Sequence, residues 1–554
     1  MPKVRSRLPV AVLALLLVAL SLNSITNAQR SAIDTYSITN ARIITVSGPV
    51  IERGTVVIRN GLITAAGADV LAPPDARVID GTGLTVYPGL IDSYTDLGLP
   101  EASPSPSPAT GVAAFLAQPS PSPRGGPNST QPPGLQPEVM VEDVIRTGGT
   151  EIESWRSVGI TTALTTPRTG VWMGQSALIN LSGETPQQMI VRSPVAMHVG
   201  FTPLRGTYPG SLLGVFSTLR QMMLDAQRYR DSMALYERNP RGTRRPDTDR
   251  SLAALIPVVD GRMPVVMLVD TEREITRALD LASEFKLRLI IAGGREADRV
   301  AERLAKQNVP VLLSLNLPKR TTPAMAEAEP EPMRVLRERV EAQQTAGKLA
   351  KAGVRFAFQS GSLTDIADLM ANARRVIENG LQAADAVRAF TIWPAQILGV
   401  ESQLGSIEAG KIANLTVTRG DLFARDTRVV HVFIDGRPVD LRPPAGGSSR
   451  NILTGTWTVN INLGQTDRSI TLNLRQEGDR LTGSISGPLG AGEISNASTT
   501  SAGEVRFTVP VNVEGQTSEA TFAGTFANNE IRGSVTIVGS SPGTFTATRS
   551  GQPN

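Results

Sequence analysis

Tyr87-Pro88-Gly89-Leu90-Ile91-Asp92-Ser93-Tyr94-Thr95-Asp96-Leu97-Gly98 stands where the chain changes character. Before it, short β-branched runs alternate with turns: Ile43 to Val46, Gly54 to Ile58, Arg77 to Asp80 and Leu84 to Val86. Asn60-Gly61 follows one such run, and because both residues tolerate positive φ the dipeptide predicts a hairpin in a small sheet. After it, apolar strand-like runs alternate with helical stretches. The runs are Thr161 to Leu164, Pro264 to Val269, Leu287 to Ile291, Val309 to Leu313 and Val354 to Phe358. The helical stretches include Thr271 to Glu284, Arg295 to Lys306 and Asp365 to Asn379. Repeated strand–helix units predict a parallel α/β sheet, either a (β/α)8 barrel or a doubly wound fold. No Gly-x-Gly-x-x-Gly turn leads from a strand into a helix, which weighs against a dinucleotide site.

The chain has 554 residues, 40% of them hydrophobic and 19% charged. That is room for roughly two or three domains and too balanced for a disordered protein. With no cysteine, disulfide frameworks, thiolate metal sites and cysteine nucleophiles are excluded. Only His198 and His431 carry imidazole, so a centre needing three or four histidines cannot be built from this chain.

Lys3, Arg5 and Arg7, the apolar stretch Leu8 to Leu22 and the small-residue end at Ala28 predict an export signal over residues 1–28. The apolar stretch is shorter than the roughly 20 residues a spanning helix needs, so no stable membrane insertion is expected. Without those three cations, 52 basic residues face 51 acidic ones, and nucleic acid is not an expected partner. The expected location is the bacterial periplasm or exterior, where disulfides are permitted but not required. A Pro/Ser-rich insertion at 102–137 cannot hold a core. Beyond Gly446 the composition shifts to Gly, Thr, Ser and Asn with short alternating strands such as Ser469 to Leu474 and Arg506 to Val509, which predicts a separate all-β module over 446–554. Its opening, Gly455-Thr456-Trp457-Thr458-Val459, resembles the first strand of a lipocalin-like or other small antiparallel barrel, with Trp457 expected in core packing.

Tyr87 to Gly98 resembles the first barrel strand of the amidohydrolase superfamily, in particular its imidazolonepropionase-like and dihydroorotase-like branches. The strand pair Ile38 to Thr45 and Ile51 to Gly54 is similar to the family's opening. Ala386 to Gly399, Leu404 to Leu415 and Val432 to Arg437 are similar to its close. The likeness runs from about residue 34 to 442. It implies a (β/α)8 TIM barrel over 88–400, a small flanking β-sandwich made jointly from 29–87 and 401–445, and a metal centre at the C-terminal ends of the barrel strands. Family members hold one or two divalent metals there with a His-x-His pair, a carboxylated lysine in the binuclear members, two further histidines and a late aspartate.

This chain departs from that pattern at each position. The His-x-His positions fall on Tyr94 and Asp96, the lysine position on His198, the fifth- and sixth-strand histidines on Leu268 and Gly293, and the late aspartate on Gly361. A catalytic zinc ordinarily needs three protein ligands and lowers the pKa of its water from about 16 to about 7. Asp96 and His198 are therefore the candidate catalytic residues, with Asp270 two residues beyond Leu268 on the same strand face. Two arrangements stay open. Asp96, His198 and Asp270 form a facial triad for zinc, manganese or iron, or Asp96 and His198 form a hydrogen-bonded pair in place of the cation. No cofactor is expected unless such an alternative metal site exists.

Other residues have plainer readings. Glu296 is expected at a helix N-terminus, where a carboxylate favours the dipole. His431 reads as a packing residue and Arg238 to Arg250 as a solvated loop. Ser176, in Gln175 to Leu181, has no nearby histidine base in sequence. Three functions remain: a hydrolase of carbon–nitrogen bonds other than peptide bonds in cyclic amides or similar small molecules; a catalytically inactive homologue that binds a small ligand or forms a homo- or hetero-oligomer with an active amidohydrolase paralogue; or a carrier for a surface- or glycan-binding C-terminal module.

Overall fold

A computed structural model describes residues 35–100, 131–319 except 205, 331–441 except 362 and 364, and most of 453–549. The export signal and the part of the insertion up to residue 130 lie outside the described residues. The chain forms two compact units, Met1–Leu441 and Arg442–Asn554. Among the described residues no helix is long and apolar enough to cross a membrane.

The first unit opens with strands β1 (Thr35–Ile43), β2 (Ile51–Arg59), β3 (Leu62–Gly67), β4 (Arg77–Asp80) and β5 (Leu84–Pro88). They join β16 (Leu415–Arg419), β17 (Arg428–Ile434) and β18 (Arg437–Val439) in one sheet of order β18-β17-β16-β5-β1-β2-β3, with β4 beside β1. Segments from both ends of the unit thus share one apolar core that includes Ile38, Val56, Val86, Leu415 and Phe433. Asn60 and Gly61 have φ of 50° and 82°, the hairpin conformation their sequence predicts. The first strand ends at Ile43, short of the expected Val46, whose own φ of 68° breaks the extended run.

The barrel staves are β6 (Leu90–Thr95), β7 (Ile160–Thr165), β8 (Trp172–Gln175) continuing as β9 (Ala177–Asn180), β10 (Ile190–Arg192) continuing as β11 (Met197–Gly200), β12 (Val265–Val269), β13 (Leu289–Gly293), β14 (Val311–Ser314) and β15 (Phe356–Gln359). Strands β11 to β15 pair in parallel, as do β6 and β7. The ring closes where Ser93 Oγ donates to the Phe358 carbonyl at 2.7 Å and Gly361 N to the Tyr94 carbonyl at 3.3 Å. One stave departs from the repeating pattern: β9 is antiparallel to β7, and β8 to β11. The connection from Thr165 to Trp172 holds no helix. A parallel crossover needs about a dozen residues or more, so this short turn sends the chain straight back down.

The helices are α1 (Thr150–Ser157), α2 (Pro186–Met189), α3 (Leu212–Arg238), α4 (Arg250–Val259), α5 (Glu272–Phe285), α6 (Ala301–Lys306), α7 (Met333–Lys351), α8 (Ala367–Glu378), α9 (Ala383–Phe390) and α10 (Ile392–Ile397). Strand alternation sorts the side chains between two cores. Val265, Met267 and Val269 pack with Ile275, Ala278 and Leu279 of α5, while Val266 joins Ile91, Ile290, Leu312 and Ala357 inside the barrel. Ala395, Leu398 and Leu404 share that interior cluster and close its lower end. Above it the barrel opens.

In the second unit, β19 (Gly455–Asn462), β20 (Asp467–Glu477), β21 (Arg480–Gly487), β22 (Gly490–Glu493), β23 (Ser495–Thr499), β24 (Glu504–Val513), β25 (Gln516–Ala527), β26 (Glu530–Ile537) and β27 (Gly543–Arg549) form one antiparallel sheet. Because β20, at one end of the strand order, also pairs with β21 near the other end, the sheet curls into a barrel. Trp457 is fully buried, donates to the Leu453 carbonyl at 2.9 Å and lies beneath the Arg549 guanidinium at 4.9 Å. With Phe507, Phe522 and Phe545 it fills the interior, the packing role expected of it.

Candidate functional site

The upper end of the first barrel is a cavity of about 520 Å³, lined by residues that include Tyr94, Asp96, Arg168, Leu268, Asp270, Gly293, Arg295, Ser314, Gln359 and Gly361. Strand termini and the turns after them place these residues, as expected for the C-terminal face of such a barrel. Helix α7 flanks the opening, where Thr345 Oγ1 donates to the Arg295 carbonyl at 3.2 Å.

Five of the six positions singled out in sequence come to this mouth: Tyr94, Asp96, Leu268, Gly293 and Gly361. The sixth, His198, is fully buried, and its ring lies 5.6 Å from that of Tyr94. Burial depresses its pKa from 6.5 to about 3, so the imidazole is neutral, and neither ring nitrogen has a hydrogen-bond partner. The expected Asp96–His198 hydrogen bond does not form. Asp96 instead accepts from Arg168 Nε at 2.5 Å, and Arg168 also donates to the Pro100 carbonyl. The expected triad of Asp96, His198 and Asp270 does not assemble either, since Asp270 faces Arg295 at 3.4 Å. Among the described residues no three His, Cys, Asp or Glu side chains come together to hold an ion.

Glu296 does serve a helix N-terminus, that of the preceding helix: its Oε2 accepts from Glu272 N, at the start of α5, at 2.8 Å. His431 is half-buried on β17 beside Phe433, and Ser176 Oγ donates to the Ala196 carbonyl at 3.4 Å.

Sequence reasoning passed over Arg168, Gln359 and Asp92. Arg168 lies just beyond a strand end, which is a readable signal, but its pairing with Asp96 spans 72 residues. Gln359 ends β15, buried to 2% exposure, and its Nε2 donates to the Leu312 carbonyl at 3.3 Å. Asp92 is wholly buried: it accepts from Ser360 N and Trp155 Nε1, both at 3.0 Å, and so ties β6 to β15 and α1. Burial raises its pKa against the pull of those hydrogen bonds.

Residues 275–439 match the amidohydrolase family. That match covers less than a third of the chain. An amidohydrolase of Thermotoga maritima has the same fold: at 24% identity the superposition covers 73% of this chain and 99% of that one, with a TM-score of 0.60. A prolidase complexed with N-methylphosphonate-L-proline aligns over 73% of this chain and 99% of its own at 17% identity and a TM-score of 0.44. A stretch of 78 residues, 14% of this chain, is 31% identical to an N-acetylglucosamine-6-phosphate deacetylase of Haemophilus influenzae. The chain spans about a fifth of that relative's length, 19%.

Amidohydrolases usually hold a divalent metal at this face. The donors present here do not fit one: Leu268, Gly293 and Gly361 have no side-chain donor, His198 lies against the Tyr94 ring, and the mouth carboxylates Asp96 and Asp270 are each bonded to an arginine.

Proposed function

We propose that this protein is a member of the amidohydrolase family that binds a small molecule at the barrel mouth without hydrolysing it. The observation that carries this reading is the internal neutralisation of the mouth. Asp96 and Asp270 have their charge balanced by Arg168 and Arg295, so the chain itself supplies the positive charge a cation would otherwise bring. The cavity nonetheless stays open, and its size suits a small ligand. Hydrolysis of a cyclic amide would need an activated water, and the His198 imidazole lies outside the cavity lining, in a buried setting that disfavours the protonated form a general base must take up. Export to the periplasm or exterior remains part of the proposal and rests on residues 1–28. So does association with an active paralogue, in which this chain would contribute binding rather than chemistry.

The test is elemental analysis of the dialysed protein, run beside hydrolysis assays on cyclic amides. The expected result is less than a tenth of an equivalent of zinc, manganese or iron and no turnover. One tightly held equivalent that is lost in Asp96→Ala or His198→Ala, together with hydrolysis abolished by a chelator, would overturn the reading in favour of a hydrolase.

A further inference from the structure

Helix α3 runs for 27 residues, about 40 Å, well past the mean of about 11–12 residues for a helix. It buries one face through Val215, Leu219, Met222 and Ala226. From residue 227 to its end no residue is buried. That half is held by the Arg230–Asp260 ion pair at 3.1 Å and by Asp249 N donating to Tyr229 Oη at 3.4 Å.

On a helix that packs by one face, the opposite pole should be polar. Here it carries leucine: Leu213, Leu224 and Leu235 are 79%, 52% and 57% exposed. Successive leucines are eleven residues apart. Eleven residues make about three turns with a drift of about 20°, so all three fall in one line, turned away from Val215 and Met222. Scattered exposed leucines need no explanation, whereas a straight row of them marks a contact surface.

The spacing of the row names its occupant. Leu224 lies midway, so a second α3 laid antiparallel on the row sets Leu224 against the partner's Leu224, and Leu213 and Leu235 against the partner's Leu235 and Leu213. A two-fold contact requires this self-matching of one surface, and nothing in the packing of α3 on its own chain demands it. The charges agree with the reversed direction. Gln221 Nε2 donates to both carboxylate oxygens of Asp225 at 3.0 Å, and Arg228 is exposed on the same flank. Reversal about Leu224 brings Arg228 near the partner's Asp225, and on the other flank Asp231 near the partner's Arg220. Helical side chains lean toward their own N-terminus, which in a reversed pair carries these opposite charges toward each other. The row spans about 33 Å, as long as a patch of roughly 800 Å² is wide, which is one partner's share of a standard interface.

We infer that the outer row of α3 is a homodimer contact, in which the helix pairs with α3 of a second copy, antiparallel about Leu224. The inference stands apart from what the barrel mouth binds.

Because the chain has no cysteine, one introduced thiol reports the pairing without background. Sedimentation velocity of the full chain is expected to give a dimer at micromolar concentration, and Leu224→Arg to weaken it roughly tenfold or more with an unchanged circular dichroism spectrum. Under oxidised glutathione, Leu224→Cys is expected to cross-link to itself, while Leu213→Cys and Leu235→Cys cross-link only when the two proteins are mixed. A monomeric wild type overturns the inference. So does a dimer that Leu224→Arg leaves intact, since the contact would then lie on another surface. Leu213→Cys that joins to itself as readily as Leu224→Cys overturns the antiparallel pairing. The metal and turnover measurements judge the mouth alone, whichever of these results is found.

Discussion

His198 sits inside the barrel wall with its ring against Tyr94 and no hydrogen bond to either nitrogen. In the fold its pKa is about 3, against 6.5 for an unperturbed imidazole. Below pH 6.5 the unfolded chain therefore takes up a proton that the folded chain refuses, and stability falls as the pH drops from 6.5 toward 3, by up to about 1.4 kcal/mol per pH unit. His198→Leu is expected to remove this contribution. Urea unfolding of the two proteins across that range should show the variant gaining on wild type as the solution is acidified; parallel curves would mean the imidazole is not buried as described. Asp92 acts with the opposite sign, since burial raises its pKa and its ionisation weighs against the fold as pH rises through that raised value. Comparing wild type with a variant at the histidine alone keeps the two apart. The two histidines were countable in the sequence, but the environment of His198 was not: the expected bond to Asp96 fails because Arg168, from the next strand's turn, reaches that carboxylate instead.

The turn that leads into the reversed stave gives the mouth Thr166, Pro167 and Arg168. Residues 134–140 lie alongside β8, with Gln136 N donating to the Trp172 carbonyl at 3.1 Å and Gln175 N to the Val139 carbonyl at 2.8 Å. Gly174 makes that approach possible. It has a φ of 114°, and a side-chain carbon there would sit 2.5 Å from the Val139 carbonyl oxygen. Gly174→Ala should therefore push the segment off the strand and cost about 1–3 kcal/mol, read as a lower urea midpoint with an unchanged slope. An undiminished midpoint would show that the segment is free to shift. The strand–helix alternation after Val265 is plain in the sequence, as is the capping box that starts α5, where Thr271 and Glu274 satisfy each other's backbone groups. The reversal between β7 and β11 is not. Its residues are buried throughout, as a barrel stave's are whichever way it runs, and only the length of the turn between Thr165 and Trp172 hints at direction.

At the level of the whole chain, two cores share no residue: the Trp457 cluster lies wholly within the C-terminal unit, and the barrel and flanking-sheet clusters lie wholly within the first. Calorimetry of the intact protein is expected to resolve two unfolding transitions, and a chain ending at Leu441 should keep one of them unshifted. A single transition that vanishes on truncation would contradict independent folding. Within the first unit the blocks that resembled the family's close supply more than strands. Asn414 Nδ2 donates to Asn180 Oδ1 at 2.8 Å, and Asn180 Nδ2 donates to Asp435 Oδ1 at 2.7 Å, so a buried polar chain fastens the flanking sheet to the barrel. The sequence alone determined the resemblance to the family, the kinds of secondary structure and the shortage of imidazole, because motif order, hydrophobic period and composition are properties of the linear chain. Which carboxylate meets which arginine and which way the third stave runs were decided only in three dimensions, because each depends on groups tens to hundreds of residues apart that chain folding alone brings within hydrogen-bonding distance.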